Sequence, residues 1–188
     1  MAGLHRLFFA LWPDDALRSA ITEFARHALS GIARGRATRP ERLHMTLQFL
    51  GEFSAASDVV GRATAAAESS DAPAAFDLAL DRMGGFGGGR VAWLGTSALP
   101  TELVELHRRL AGALQAQGLQ PAHVDAFVPH VTLARDLPRA PERAVPALHW
   151  QVREFVLVDS TAGEYRILGR WPLASRAVSR GCRSPAGR

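Results

Sequence analysis

Residues 40–51 read Pro40-Glu41-Arg42-Leu43-His44-Met45-Thr46-Leu47-Gln48-Phe49-Leu50-Gly51, and residues 129–135 read Pro129-His130-Val131-Thr132-Leu133-Ala134-Arg135. The tetrapeptide His-x-Thr-Leu stands in both. A shuffled chain of this composition would hold roughly 0.04 copies of it, and about one such chain in a thousand would hold two. Alternation along a strand turns His44 and Thr46 to one face and Met45 and Leu47 to the other. His130 and Thr132 stand in the same relation to Val131 and Leu133. Each strand thus offers an imidazole and a hydroxyl about 7 Å apart, on a face expected to be otherwise polar. Strict alternation puts Phe49 with Met45 and Leu47, in the core.

The elements around these two stretches follow from periodicity. Leu7–Leu11 reads as a buried strand. Asp14 stands as an N-cap before apolar residues at Leu17, Ala20, Ile21, Phe24, Ala25 and Ala28, which is helical spacing. An Arg/Gly-rich loop leads into the strand Leu43–Leu50, ended by Gly51. Ser54 is expected to cap a second helix running to about Glu68. Phe76, Leu78 and Leu80 alternate with Asp77, Ala79 and Asp81, a half-buried strand. Gly84–Gly89 reads as a flexible hairpin or connection, followed by the strand Val91–Leu94. Thr101–Gln117 carries a stripe at Leu103, Leu106, Leu110, Ala113 and Leu114, with Gly118 placed to end a helix. Val128–Ala134, Val152–Asp159 and Tyr165–Leu173 are the remaining strands. Short strands punctuated by Gly and Pro, with strand–helix–strand occurring around each motif, predict an α+β protein of largely antiparallel sheets and hint at a duplication.

Composition removes several function classes. All 22 basic residues are arginine, so there is no lysine for a phosphate-binding loop, a Schiff base or a nucleotidyl-transfer nucleophile. The single cysteine, Cys182, excludes an internal disulfide and a multi-cysteine zinc site. His5, His27, His107, His123 and His149 have no partner at metal-ligand spacing, which leaves them surface or capping roles. The net charge of +4 is carried entirely by Arg176, Arg180, Arg183 and Arg188, so the body is neutral and any phosphate must be held locally. The longest apolar run, Leu7–Trp12, is far short of the ~18 residues of a membrane helix. No signal segment opens the chain, and a cytoplasmic protein is expected.

Two histidines suit in-line displacement at phosphorus. One neutral imidazole takes a proton from the attacking oxygen, and one protonated imidazole delivers a proton to the departing one. Threonine hydroxyls can donate hydrogen bonds to the non-bridging oxygens, where charge accumulates. This chemistry requires neither a metal nor a covalent intermediate.

In these motifs the sequence resembles the bacterial RNA 2′,3′-cyclic phosphodiesterases (the 2′-5′ RNA ligase family) of the 2H phosphoesterase superfamily. Arg6–Leu11, Pro40–Gly51, Arg90–Gly95 and Pro129–Arg135 carry the likeness, which spans about Arg6 to Leu173. The resemblance implies a bilobal α+β fold. Two pseudo-twofold-related antiparallel sheets, with helices outside, would face a central cleft in one domain, residues 1–173. Residues 174–188 would form a basic, disordered tail. It also implies hydrolysis of an RNA terminal 2′,3′-cyclic phosphate to a 2′-phosphomonoester. His44 would be the proton donor and His130 the acceptor, while Thr46, Thr132 and Arg135 would hold the phosphate. No metal and no cofactor are expected. The expected partners are RNA with 2′,3′-cyclic phosphate ends or small cyclic nucleotides, with no membrane partner, and the chain is expected to act as a monomer. Relatives often carry Arg-Trp and Pro-Glu-Asn ahead of the first motif, where this chain has Arg36-Ala37 and Pro40-Glu41-Arg42. ATP-independent 2′-5′ RNA ligation at the same histidines, and non-catalytic RNA-end binding, are the alternative functions.

Overall fold

In the computed structural model, which describes residues 4–32, 34–121, 127–161 and 163–175, both motif strands lie at the centre of one sheet. The strands are β1 (His5–Leu11), β2 (Arg36–Ala37), β3 (Met45–Phe53), β4 (Phe76–Phe86), β5 (Val91–Gly95), β6 (His130–Arg135), β7 (Arg143–Val152), β8 (Glu154–Thr161) and β9 (Glu164–Pro172). The helices are α1 (Asp15–Ala28), α2 (Ser57–Ser69) and α3 (Thr101–Ala116). The nine-stranded sheet runs β7-β4-β5-β6-β3-β1-β8-β9, with β2 beside β6. Every pairing between named strands is antiparallel.

The expected pair of sheets is present as two four-stranded halves of this one sheet. The halves meet between β3 and β6 through a single residue pair, Met45 with Val131. Outward from that seam the orders are β3, β1, β8, β9 and β6, β5, β4, β7. The duplication appears as topology: β1-α1-β3 repeats as β5-α3-β6, each with its motif strand innermost. The helices cross the seam. α1 packs on β6 and β7 of the opposite half, and α3 packs on β3 and against α2. Leu17 and Ile21 of α1 and Leu103, Leu106, Leu110 and Leu114 of α3 are buried, each contributing about 1.5–3 kcal/mol of burial.

The predicted caps are partly realised. Asp14 accepts the amide of Leu17 at 2.8 Å, and Gly118 adopts φ +70° just past α3. Ser54 does not cap α2. β3 continues past Gly51 to Phe53, so α2 starts at Ser57 behind Ala56 with no side-chain cap. Gly84 and Gly85 belong to β4, and only the residues after Phe86 turn. β7 was not expected. It is an edge strand containing Pro146, mostly exposed over residues 143–149 and alternating only at its end, where Trp150 and Val152 are buried. Of the basic tail, Ala174 bridges Ala74, and residues 176–188 lie outside the described residues. No helix of the described residues is long and apolar enough to cross a membrane.

Candidate active site

The single pair at the seam fixes the geometry. With Met45 opposite Val131 in an antiparallel register, His44 comes opposite Thr132 and Thr46 opposite His130. Met45 and Val131 are wholly buried, so these four side chains share the other face. The two histidines lie on the diagonal, for which backbone spacing is about 7–8 Å. That leaves room for one phosphoryl group between two imidazoles.

Both rings are anchored alike. His44 donates Nδ1–H to the carbonyl of Arg42 at 2.6 Å, and His130 donates Nδ1–H to the carbonyl of Val128 at 2.7 Å. A bond to the carbonyl two residues back fixes the tautomer and leaves Nε2 as the working nitrogen. Each ring is also walled by a phenylalanine and a tryptophan. Phe8 lies 4.8 Å and Trp12 5.8 Å from His44. Phe86 lies 4.8 Å and Trp93 6.4 Å from His130. Tyr165 meets the His44 ring edge-on at 5.5 Å.

The face is therefore aromatic, contrary to the polar face expected from alternation. Phe8, Ala10, Val156 and Val158 form a second apolar cluster on it. Burial among these groups pushes the His44 pKa down to about 4 against the opposing hydrogen bond to the Arg42 carbonyl, with smaller downward effects from His130 and Arg135. Burial also lowers His130, again with help from Arg135. At neutral pH both empty-site imidazoles are uncharged.

Each motif strand bulges at its leucine. Ala10 pairs with Thr46 and Phe9 with Gln48, which leaves Leu47 unopposed. Trp93 pairs with Thr132 and Ala92 with Ala134, which leaves Leu133 unopposed. An extra residue inverts the facing of the residues that follow, in β3 up to a second irregularity at Leu50. Gln48 turns inward and donates to the His107 carbonyl at 2.9 Å. Phe49, expected in the core, turns to the cleft face and packs with the second cluster. The same inversion carries Arg135, five residues after His130, onto the cleft face.

A cavity of about 240 Å³ opens beside the seam, lined by His44, Thr132, Arg135 and Tyr165 together with Arg36, Arg39 and Arg42. His130 and Thr46 lie outside its lining, although His130 is near enough for its charge to be felt at His44. The arginines before the first motif and the aromatic walls were not singled out in the sequence. The run of arginine at 34, 36, 39 and 42 was the available signal. His123 lies outside the described residues. Among the described residues no group of three or more His, Cys, Asp or Glu is placed to hold a metal ion.

The likeness to known proteins has the same extent as the fold. The family described as the 2′-5′ RNA ligase superfamily matches residues 13–164. The chain is 32% identical to the RNA 2′,3′-cyclic phosphodiesterase of Escherichia coli (strain K12), covering 92% of this chain and 99% of that protein. The crystal structure of E. coli LigT complexed with 3′-AMP matches with a TM-score of 0.75 at 29% identity, over 92% of this chain and 99% of that one. The crystal structure of TT0787 of Thermus thermophilus matches with a TM-score of 0.73 at 26% identity, over 90% and 98%. A likeness covering nine-tenths of this chain, with two histidine strands meeting at its centre, makes the chain a member of the 2′-5′ RNA ligase superfamily.

Proposed function

We propose that this protein is an RNA 2′,3′-cyclic phosphodiesterase that hydrolyses the terminal cyclic phosphate to a 2′-phosphomonoester, with His44 as acid and His130 as base. The observation that carries the reading is the Met45–Val131 register, which sets the two imidazoles on a diagonal and each opposite the other motif's threonine. Relatives named for this reaction support it.

Water attacks phosphorus from the His130 side, and Nε2 of His130 takes its proton. The P–O3′ bond breaks in line, and Nε2–H of His44 protonates the departing 3′-oxygen. The product has a 2′-phosphate and a free 3′-hydroxyl. Thr46 and Thr132 donate to the non-bridging oxygens, and Arg135 balances the charge that gathers there. His44 is neutral in the empty site, so it takes up a proton from solvent as the substrate binds. An anionic phosphodiester beside Nε2 favours the imidazolium and raises the pKa that burial lowers.

The test is an oligonucleotide ending in 2′,3′-cyclic phosphate, incubated with the protein in EDTA and followed by ³¹P NMR. A 2′-phosphate product is expected. His44→Ala and His130→Ala are each expected to lower kcat by about 10²–10⁴. Absence of turnover, a 3′-phosphate product, or full activity in either variant contradicts the reading.

A further inference from the structure

The charge around the cavity exceeds what a single cyclic phosphate can answer. Arg36, Arg39, Arg42 and Arg135 line it, and no Asp or Glu does. Arg36 stands directly opposite Arg135 where β2 meets β6, and like charges in that position repel. Asp136, 3.5 Å from Arg36, partly offsets that pair. Arg39, Arg42 and Arg135 have no carboxylate partner among the described residues. Arg135 acts electrostatically on both histidines, which places it with the reacting phosphate. Arg39 and Arg42 are left over, on the segment leading into β3. The Arg42 guanidinium lies over the Tyr165 ring at 5.6 Å. Stacking of this kind orients the planar group and leaves its N–H edge free for bidentate contact with a phosphate.

Size points the same way. About 240 Å³ is below the ~300–1,000 Å³ of ordinary ligand pockets. It suits a terminal nucleotide's reacting end, with the rest of a strand at the mouth. A mononucleoside cyclic phosphate carries one negative charge and leaves Arg39 and Arg42 unanswered, whereas each further nucleotide adds one.

We propose that Arg39 and Arg42 form a subsite for an internal phosphodiester on the 5′ side of the terminal nucleotide, so that the enzyme selects oligonucleotide ends over mononucleotides. The proposal rests on the hydrolytic reading above. Single-stranded RNA is the ligand class that supplies a second phosphate at a fixed covalent distance from the first, and guanidinium is the side chain best matched to it.

The experiment compares kcat/KM of the full chain on a mononucleoside 2′,3′-cyclic phosphate and on a trinucleotide with the same end, over a salt series. The wild type is expected to favour the trinucleotide by about tenfold or more, with the steeper salt dependence. In Arg39→Gln/Arg42→Gln, trinucleotide kcat/KM is expected to fall about tenfold or more beyond any loss on the mononucleotide. Its log–log salt slope should flatten by about 0.7 per lost contact. Equal wild-type rates on both substrates, or a double variant that loses both equally with its slope unchanged, overturn the subsite and leave the hydrolytic reading standing. A wild type that hydrolyses neither overturns that reading, and the subsite with it.

Discussion

His44 and His130 each commit Nδ1 to a carbonyl two residues back, and each packs against a phenylalanine and a tryptophan. The first feature fixes which nitrogen works, and the second takes charge stabilisation by water away from it. The sign of the pH dependence follows. The productive free enzyme has His44 protonated and His130 neutral. With His44 at about 4 and His130 also lowered from 6.5, both groups are bare at neutral pH. Log(kcat/KM) is expected to fall by about one per pH unit above roughly pH 6.5. The alkaline limb of kcat is expected at higher pH, because the bound anion favours the His44 imidazolium. Arg135 lowers both histidines, so Arg135→Gln is expected to move the kcat/KM limb upward while raising KM. A limb that stays in place or moves down would count against the placement of Arg135 with the phosphate.

At the scale of elements, the two strands repeat their bulges as well as their motifs. The His-x-Thr-Leu tetrapeptide was legible because its spacing survives in any strand. What lies beyond the leucine was not, because a bulge changes parity without leaving a mark in the periodicity. Phe49 and Arg135 occupy the same position in their respective repeats, and both turn to the cleft only through that extra residue. The glycines of β4 were misread for a related reason. Gly84 is a strand residue whose missing side chain admits a neighbour. A Cβ there would lie 2.2 Å from the Trp93 ring, which backs His130. The buried indole N–H of Trp93 has no hydrogen-bond partner among the described residues, so the ring is held by packing. Gly84→Ala is expected to cost about 1–3 kcal/mol by overpacking and to lower kcat by moving Trp93. Chemical denaturation and kinetics check it, and an Ala variant equal to the wild type in both would contradict this role. β7 was illegible for a different reason: residues 143–149 of this edge strand are mostly exposed and include Pro146, so alternation is confined to its end, at Trp150 and Val152.

Across the whole molecule, the site exists because two halves meet. β3 and β6 pair only through Met45 and Val131, β2 adds two pairs to β6 beside them, and helices that pack on the opposite half tie the halves further. This arrangement leaves the strand faces free beside the one point where the motifs touch. Residues from distant parts of the chain reach one phosphorus without either half needing a complete site of its own. The central claim is that division of labour, with His44 serving the leaving oxygen and His130 the attacking water. It is tested most directly with a cyclic phosphate whose 3′ bridging oxygen is replaced by sulfur, since a thiolate departs without a proton. On this substrate His44→Ala is expected to regain a rate within about tenfold of the wild type, from a loss of about 10²–10⁴ on the oxygen substrate. His130→Ala is expected to stay depressed on both. Equal depression of His44→Ala on the two substrates, or rescue of His130→Ala in its place, would contradict the account.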